Sequence, residues 1–188
     1  MSRVLSRIVL LALAAAFGAG GCAAERPRLA PGPSVETPYI LGSGDRLRIN
    51  VFNQPTLSST YAVDASGTIT MPLIGPVEAD GRSTYELKKA VEARLAKDYL
   101  RDPNVSIEVD AYRPFFIFGE VTQGGQYAYV AGMTVEQAVA IAGGYTPRAQ
   151  RDRVQLARRD AAGVVRLMVP MTTIVRPGDT LFVKERWF

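Results

Sequence analysis

Leu47, Ile49 and Val51 alternate with Arg46, Arg48 and Asn50 just after Gly44-Asp45, the two-residue period of a strand with one buried face. Asp64-Ala65-Ser66-Gly67 carries a turn signal, and Ile69 and Met71 resume the alternation beyond it. The stretch from Tyr39 to Val77 therefore predicts three or four short strands joined by turns. Ser83-Thr84-Tyr85-Glu86 is a capping box, in which Ser83 and Glu86 satisfy each other's backbone donors. The helix it opens runs from about Thr84 to Tyr99. Leu87, Val91, Leu95 and Tyr99 form one stripe widened by Ala90, and Lys88, Lys89, Glu92, Lys97 and Asp98 cover the other faces. Asp102-Pro103 ends this helix, and Val105, Ile107 and Val109 alternate as the next strand.

A boundary is expected around residues 111–114. Beyond it Phe115-Phe116-Ile117-Phe118 reads as an apolar strand, and Gly119, Gly124 and Gly125 punctuate the turn that follows. Thr134-Val135-Glu136-Gln137 is a second capping box, opening a short helix through Ala142 that Gly143-Gly144 stops. Val154–Ala157 and Val164–Val169 read as strands paired across Asp160-Ala161-Ala162-Gly163, and Thr180–Lys184 is the last strand. The pattern is α+β in two small units, residues 39–112 and 113–188. Gly44-Asp45-x-Leu47 and Gly178-Asp179-x-Leu181 open strands in the same way, so these glycines and aspartates are expected to be structural turns. A likeness over six residues is too short to establish a repeat.

Composition narrows the chemistry. Of 188 residues 47% are hydrophobic and 21% charged, an ordinary globular balance. The chain has no histidine, which removes the commonest general base and metal ligand. Its single cysteine allows neither an internal disulfide nor a cysteine-rich metal site. No enzymatic activity, metal or dissociable cofactor is expected. Asp45 and Asp179 are the tempting carboxylate pair for glycoside chemistry, which needs two positioned acids. In Gly-Asp turns such side chains commonly bond to nearby backbone, and that reading is preferred.

The N-terminus carries address information. Arg3 and Arg7 precede an apolar run from Ile8 to Phe17, too short to span a bilayer comfortably. Gly18-Ala19-Gly20-Gly21 then leads into Cys22, which resembles a bacterial lipobox, with alanine at position 19 where leucine is usual. Residues 1–21 are expected to be a lipoprotein signal peptide and Cys22 the attachment point of a covalent lipid. Ala23 in place of aspartate implies sorting to the outer membrane. Residues 22–38, with Pro27, Pro31, Pro33 and Pro38, read as an extended tether.

Charge divides unevenly: residues 22–112 hold 10 Lys/Arg and 12 Asp/Glu, whereas residues 113–188 hold 10 and 6. Arg148, Arg151, Arg153, Arg158 and Arg159 cluster in sequence. They read either as a solvated hairpin face or as a surface for acidic polymer. Export across the inner membrane excludes nucleic acid as a partner.

Tyr39 to Phe52, Y-I-L-G-S-G-D-R-L-R-I-N-V-F, strongly resembles the opening of the polysaccharide-export domain of the Wza-like outer-membrane export proteins. The likeness continues through Gly67, Pro72-Leu73-Ile74-Gly75, the capped helix, Pro103, Val105 and Ile107. Phe116-Ile117-Phe118-Gly119-Glu120-Val121, Gly125, Thr134, Ala142-Gly143-Gly144 and Pro177-Gly178-Asp179 resemble the family's soluble-ligand-binding β-grasp domain. The resemblance implies a lipoprotein on the periplasmic face of the outer membrane that helps export capsular polysaccharide or exopolysaccharide. It also implies a homo-oligomeric ring around a polysaccharide chain and an inner-membrane polysaccharide co-polymerase as partner. Long family members have further β-grasp modules and a C-terminal membrane helix. Only Glu185-Arg186-Trp187-Phe188 follow the last strand here, so a separate outer-membrane β-barrel is expected to cross the membrane. The competing expectation is a lipid-anchored periplasmic binding protein for a soluble saccharide or cofactor.

Overall fold

The computed structural model describes residues 38–160 and 163–187. The expected signal segment, Cys22, nearly all of the tether, Ala161, Ala162 and Phe188 lie outside them. The described residues form two helices and three sheets, an α+β fold.

β1 (Arg46–Val51) is the centre of the first sheet, flanked by β2 (Ser59–Ala62) and, after the long excursion of chain between Val51 and Val105, by β5 (Val105–Ala111). Both pairings are antiparallel, with Ile49 opposite Ser59 and Ile107. Alternation sends Leu47, Ile49 and Val51 inward and leaves Arg46, Arg48 and Asn50 in solvent. β3 (Thr68–Met71) and β4 (Gly75–Glu78) make a separate hairpin that adds Ile69, Met71 and Val77 to the same core.

Helix α1 (Thr84–Asp98) closes that core with Leu87, Val91 and Leu95. Its capping box is present: Glu86 N–H donates to Ser83 Oγ at 3.2 Å, and Ser83 N–H donates to Glu86 Oε2 at 2.8 Å. Donation from Ser83 N–H foremost, and from Ser83 Oγ–H to the same Oε2 at 2.8 Å, holds the Glu86 carboxyl below its usual range. Tyr99 does not complete the stripe as its spacing predicts. It is the C-cap, with φ −126°, and stays 49% exposed. The amides of Tyr99 and Leu100 both donate to Leu95 O, the second as a wider bond spanning five residues, and Leu100 packs against the core instead.

The second sheet has the order β7 (Gly125–Tyr127), β6 (Phe115–Gly119), β10 (Thr180–Val183), β8 (Arg153–Asp160), β9 (Gly163–Pro170). β10 runs parallel to β6 and antiparallel to β8, and the order of strands around one helix is that of a β-grasp fold. α2 (Val135–Ile141) packs Val135, Ala138 and Val139 against Phe115, Ile117, Leu156, Leu181 and Val183. Thr134 and Gln137 form its capping box, and Gly143 and Gly144 stop it at φ 80° and 82°. β7 falls where the sequence predicts only a turn. Three residues are too few to register a period, and pairing with Phe115–Ile117 is what makes them a strand.

Candidate functional site

Two Gly-Asp turns hold the only described polar or charged side chains that are fully buried, Asp45 at 0% and Asp179 at 1% exposed. In the first, Asp45 N–H donates to Gly42 O at 3.1 Å, and Gly42 N–H returns a bond to Asp45 Oδ2 at 2.9 Å. In the second, Asp179 N–H donates to Arg176 O at 3.1 Å, and Arg176 N–H donates to Asp179 Oδ2 at 2.7 Å. Gly44 and Gly178 sit at φ 95° and 84°, the left-handed conformation that the third position of a type II turn requires. One turn geometry therefore opens both β1 and β10.

The remaining carboxylate bonds come from Tyr39 nearby and from two arginines far along the chain. Tyr39 OH donates to Asp45 Oδ2 at 2.7 Å, Arg113 N–H to Oδ1 at 2.8 Å, and Arg113 Nη1 to Oδ2 at 3.3 Å. Arg158 grips Asp179 with both arms of its fork, Nε to Oδ1 at 2.9 Å and Nη2 to Oδ2 at 2.7 Å. Burial first, then the bond to Asp45 and its charge, push the Tyr39 phenol above its ordinary range, so it remains a donor.

Arg113 touches both turns. While Nη1 reaches Asp45, its Nε donates to Pro177 O at 3.2 Å in the second turn. A Cβ added at Gly42 would lie 1.8 Å from Arg113 Nη1, and one at Gly178 would lie 3.1 Å from Nε. Both glycines make room for one guanidinium. Tyr39, Tyr112 and Tyr129 cross the same junction edge to face, with ring centroids 4.9 and 5.3 Å apart in succession.

This arrangement fastens. Each buried carboxylate accepts at least one backbone N–H and an arginine. Among the described residues no group of three or more His, Cys, Asp or Glu side chains could hold a metal ion. The sequence identifies Gly44, Asp45, Gly178 and Asp179 but not Arg113, Tyr112 or Tyr129, because their partners are set by tertiary contact and no local motif marks them.

The five clustered arginines do not act together. Arg148 pairs with Glu120 at 3.4 Å and Glu185 at 3.3 Å, and Arg151 lies over the Tyr145 ring at 5.7 Å. Arg158 turns toward the core side and is committed to Asp179. Arg153 and Arg159 are exposed on the opposite face of β8. An open depression beside the cluster is lined by Pro147, Ala149, Gln150, Arg151, Asp152 and Arg186.

Residues 33–110 match the family model described as polysaccharide biosynthesis/export protein, and residues 114–169 match that of the SLBB domain. The chain belongs to the polysaccharide export family. This is a transport family without enzymatic activity. The chain is 34% identical over 155 residues to the exopolysaccharide production protein ExoF of Rhizobium meliloti, covering 76% of this chain and 35% of that protein. It is 27% identical over 184 residues to the EPS I polysaccharide export outer membrane protein EpsA of Ralstonia nicotianae, covering 80% of this chain and 48% of that one. A third relative, the polysialic acid transport protein KpsD of Escherichia coli, is 28% identical over 111 residues, 58% of this chain and 20% of its own length. The chain thus spans between a third and a half of the length of ExoF and EpsA.

Proposed function

We propose that this chain is a lipid-anchored component, on the periplasmic face of the outer membrane, of the conduit that exports capsular polysaccharide or exopolysaccharide. The observation that carries the reading is the succession of an export module and an SLBB module, matched at residues 33–110 and 114–169. In support, Arg113 ties the two sheets into one body through Asp45 and Pro177. A passage for polymer needs walls of fixed shape and contacts that are weak and repeated, since tight binding at one place would stop transport.

In this reading Cys22 carries the lipid and residues 22–38 tether the body to the membrane. Copies assemble as a homo-oligomeric ring, an inner-membrane co-polymerase delivers the chain, and a separate outer-membrane β-barrel completes the crossing. Among the described residues no helix is long and apolar enough to cross a membrane. The test is a deletion strain complemented with the wild type or Cys22→Ser. Deletion is expected to abolish surface polymer while precursor synthesis persists, and Cys22→Ser to move the protein from the membrane to the soluble fraction. Normal surface polymer in the deletion strain overturns export, and an unchanged membrane fraction overturns the anchor.

A further inference from the structure

Among the described residues, no helix or second sheet covers the outer face of the β-grasp sheet. Strand alternation turns Phe115, Ile117, Val154, Leu156, Leu181 and Val183 toward α2. The other face therefore receives Phe116, Phe118 and Phe182, then Arg153 and Arg159 from β8 and Arg166 from β9. Register makes the aromatic part continuous: Phe182 lies opposite Phe118, and the Phe116 and Phe118 rings stack at 6.4 Å and 12°. Phe118 and Phe182 are 44% and 46% exposed. Arg166 lies opposite Ala157, one diagonal step from Arg159. Among the described residues, this face of the five strands carries no acidic side chain.

We infer that this face is a glycan-contacting surface whose charge selects an anionic, carboxylate-bearing polysaccharide; the inference rests on the export reading above. The flat C–H faces of pyranose rings bury apolar area on phenylalanine rings lying flush in a sheet. Arginine forks match carboxylates in geometry as well as sign. Arg153 and Arg159, six residues apart on one strand, are separated by about 20 Å, enough for several sugar units to lie between them. The contacts are solvent-exposed and individually weak, as a surface that must release a moving chain requires.

The test uses the purified full chain with oligogalacturonate, an uncharged dextran of matched length and phosphatidylglycerol vesicles. Oligogalacturonate is expected to bind in a salt-sensitive way, while dextran and vesicles do not. The triple variant Arg153→Gln, Arg159→Gln, Arg166→Gln is expected to lose roughly tenfold to a hundredfold in affinity at an unchanged melting temperature. Equal binding of dextran, or undiminished binding by the triple variant, overturns the inference. Arginine-dependent vesicle binding without oligogalacturonate binding makes the face a lipid surface. Arginine-dependent self-association without glycan binding makes it an interface between copies; either result overturns the inference. The same variant placed in the deletion strain separates the two levels. Normal polymer in the deletion strain removes the export reading. Lost polymer in that strain, with glycan binding unchanged in the variant, removes only the glycan surface.

Discussion

Asp45 and Asp179 stand at the same position of the same turn, each buried and each accepting the amide three residues before it. What differs is the origin of their other partners. Asp179 depends on one side chain, because Arg158 supplies the donor to Oδ1 and one of the two donors to Oδ2. Asp45 draws on several: the Tyr39 hydroxyl, two backbone amides and the Arg113 guanidinium. Arg158 lies on β8 beside the strand that Asp179 opens, so its pair stays within one module. Arg113 follows β5 and reaches across to Pro177. An identical local turn is thus used once to stiffen a module and once to join two.

The largest expected effect follows from that dependence. Arg158→Ala leaves Asp179 buried with the Arg176 amide as its remaining donor from this set. Removing one member of such a pair is expected to cost about 3 kcal/mol, at the low end of the usual range because the Arg158 side chain is 23% exposed. Urea denaturation measures the loss, and hydrogen exchange is expected to confine it to the second module. A cost equal to or below that of Arg113→Ala would show that the two carboxylates do not differ in redundancy.

The turns were legible in the sequence because glycine at a positive φ followed by aspartate is local chemistry, and so were the strands on either side. Both capping boxes are likewise local, and both form. The arginines were not legible. Proximity in sequence groups Arg158 with Arg148, Arg151, Arg153 and Arg159, but strand alternation puts it on the opposite face from Arg153 and Arg159. Arg113 carries no motif; what selects it is the joint approach of Gly42 and Gly178, which becomes visible once the two sheets are side by side. Tyr99 departs from its expected place for a third reason: its spacing suits a continuing helix, and the helix ends at Asp98, one residue short of it.

The second effect tests the joining role. Arg113→Ala removes a charged hydrogen bond to Asp45 and one to Pro177 O, yet Asp45 keeps Tyr39 OH, Gly42 N–H and the amide at position 113. The expected cost is about 1–2 kcal/mol, smaller than for Arg158. Hydrogen-exchange protection is expected to fall in both turns. Gly42→Ala should have a similar cost, since its new Cβ takes the space of Nη1, 1.8 Å away. On the Arg113→Ala background the same change is expected to cost less than about 0.5 kcal/mol. Additive costs would mean that the guanidinium does not fill the gap at Gly42.

The smallest effect concerns a third turn aspartate, which sharpens the contrast because it is exposed. Asp64 Oδ1 accepts Ser66 N–H and Thr68 N–H at 2.9 Å each and Ser66 Oγ–H at 2.6 Å, while Oδ2 accepts Thr68 Oγ1–H at 2.9 Å. These bonds, the Ser66 hydroxyl foremost, bring its carboxyl from the usual 3.8 down to about 2. A depressed carboxylate stabilises the fold above its unfolded pKa, and that contribution is lost as pH falls through the folded value. The difference in melting temperature between wild type and Asp64→Asn is therefore expected to hold steady from neutral pH to about 4 and to close toward pH 2. A carboxyl chemical-shift titration reads the midpoint directly, and a midpoint near the ordinary value would mean that the turn forms without using the charge. Asp64 lies in water and does not join sheets, so its substitution should leave exchange protection at Arg113 and Pro177 unchanged, whereas Gly42→Ala should lower it.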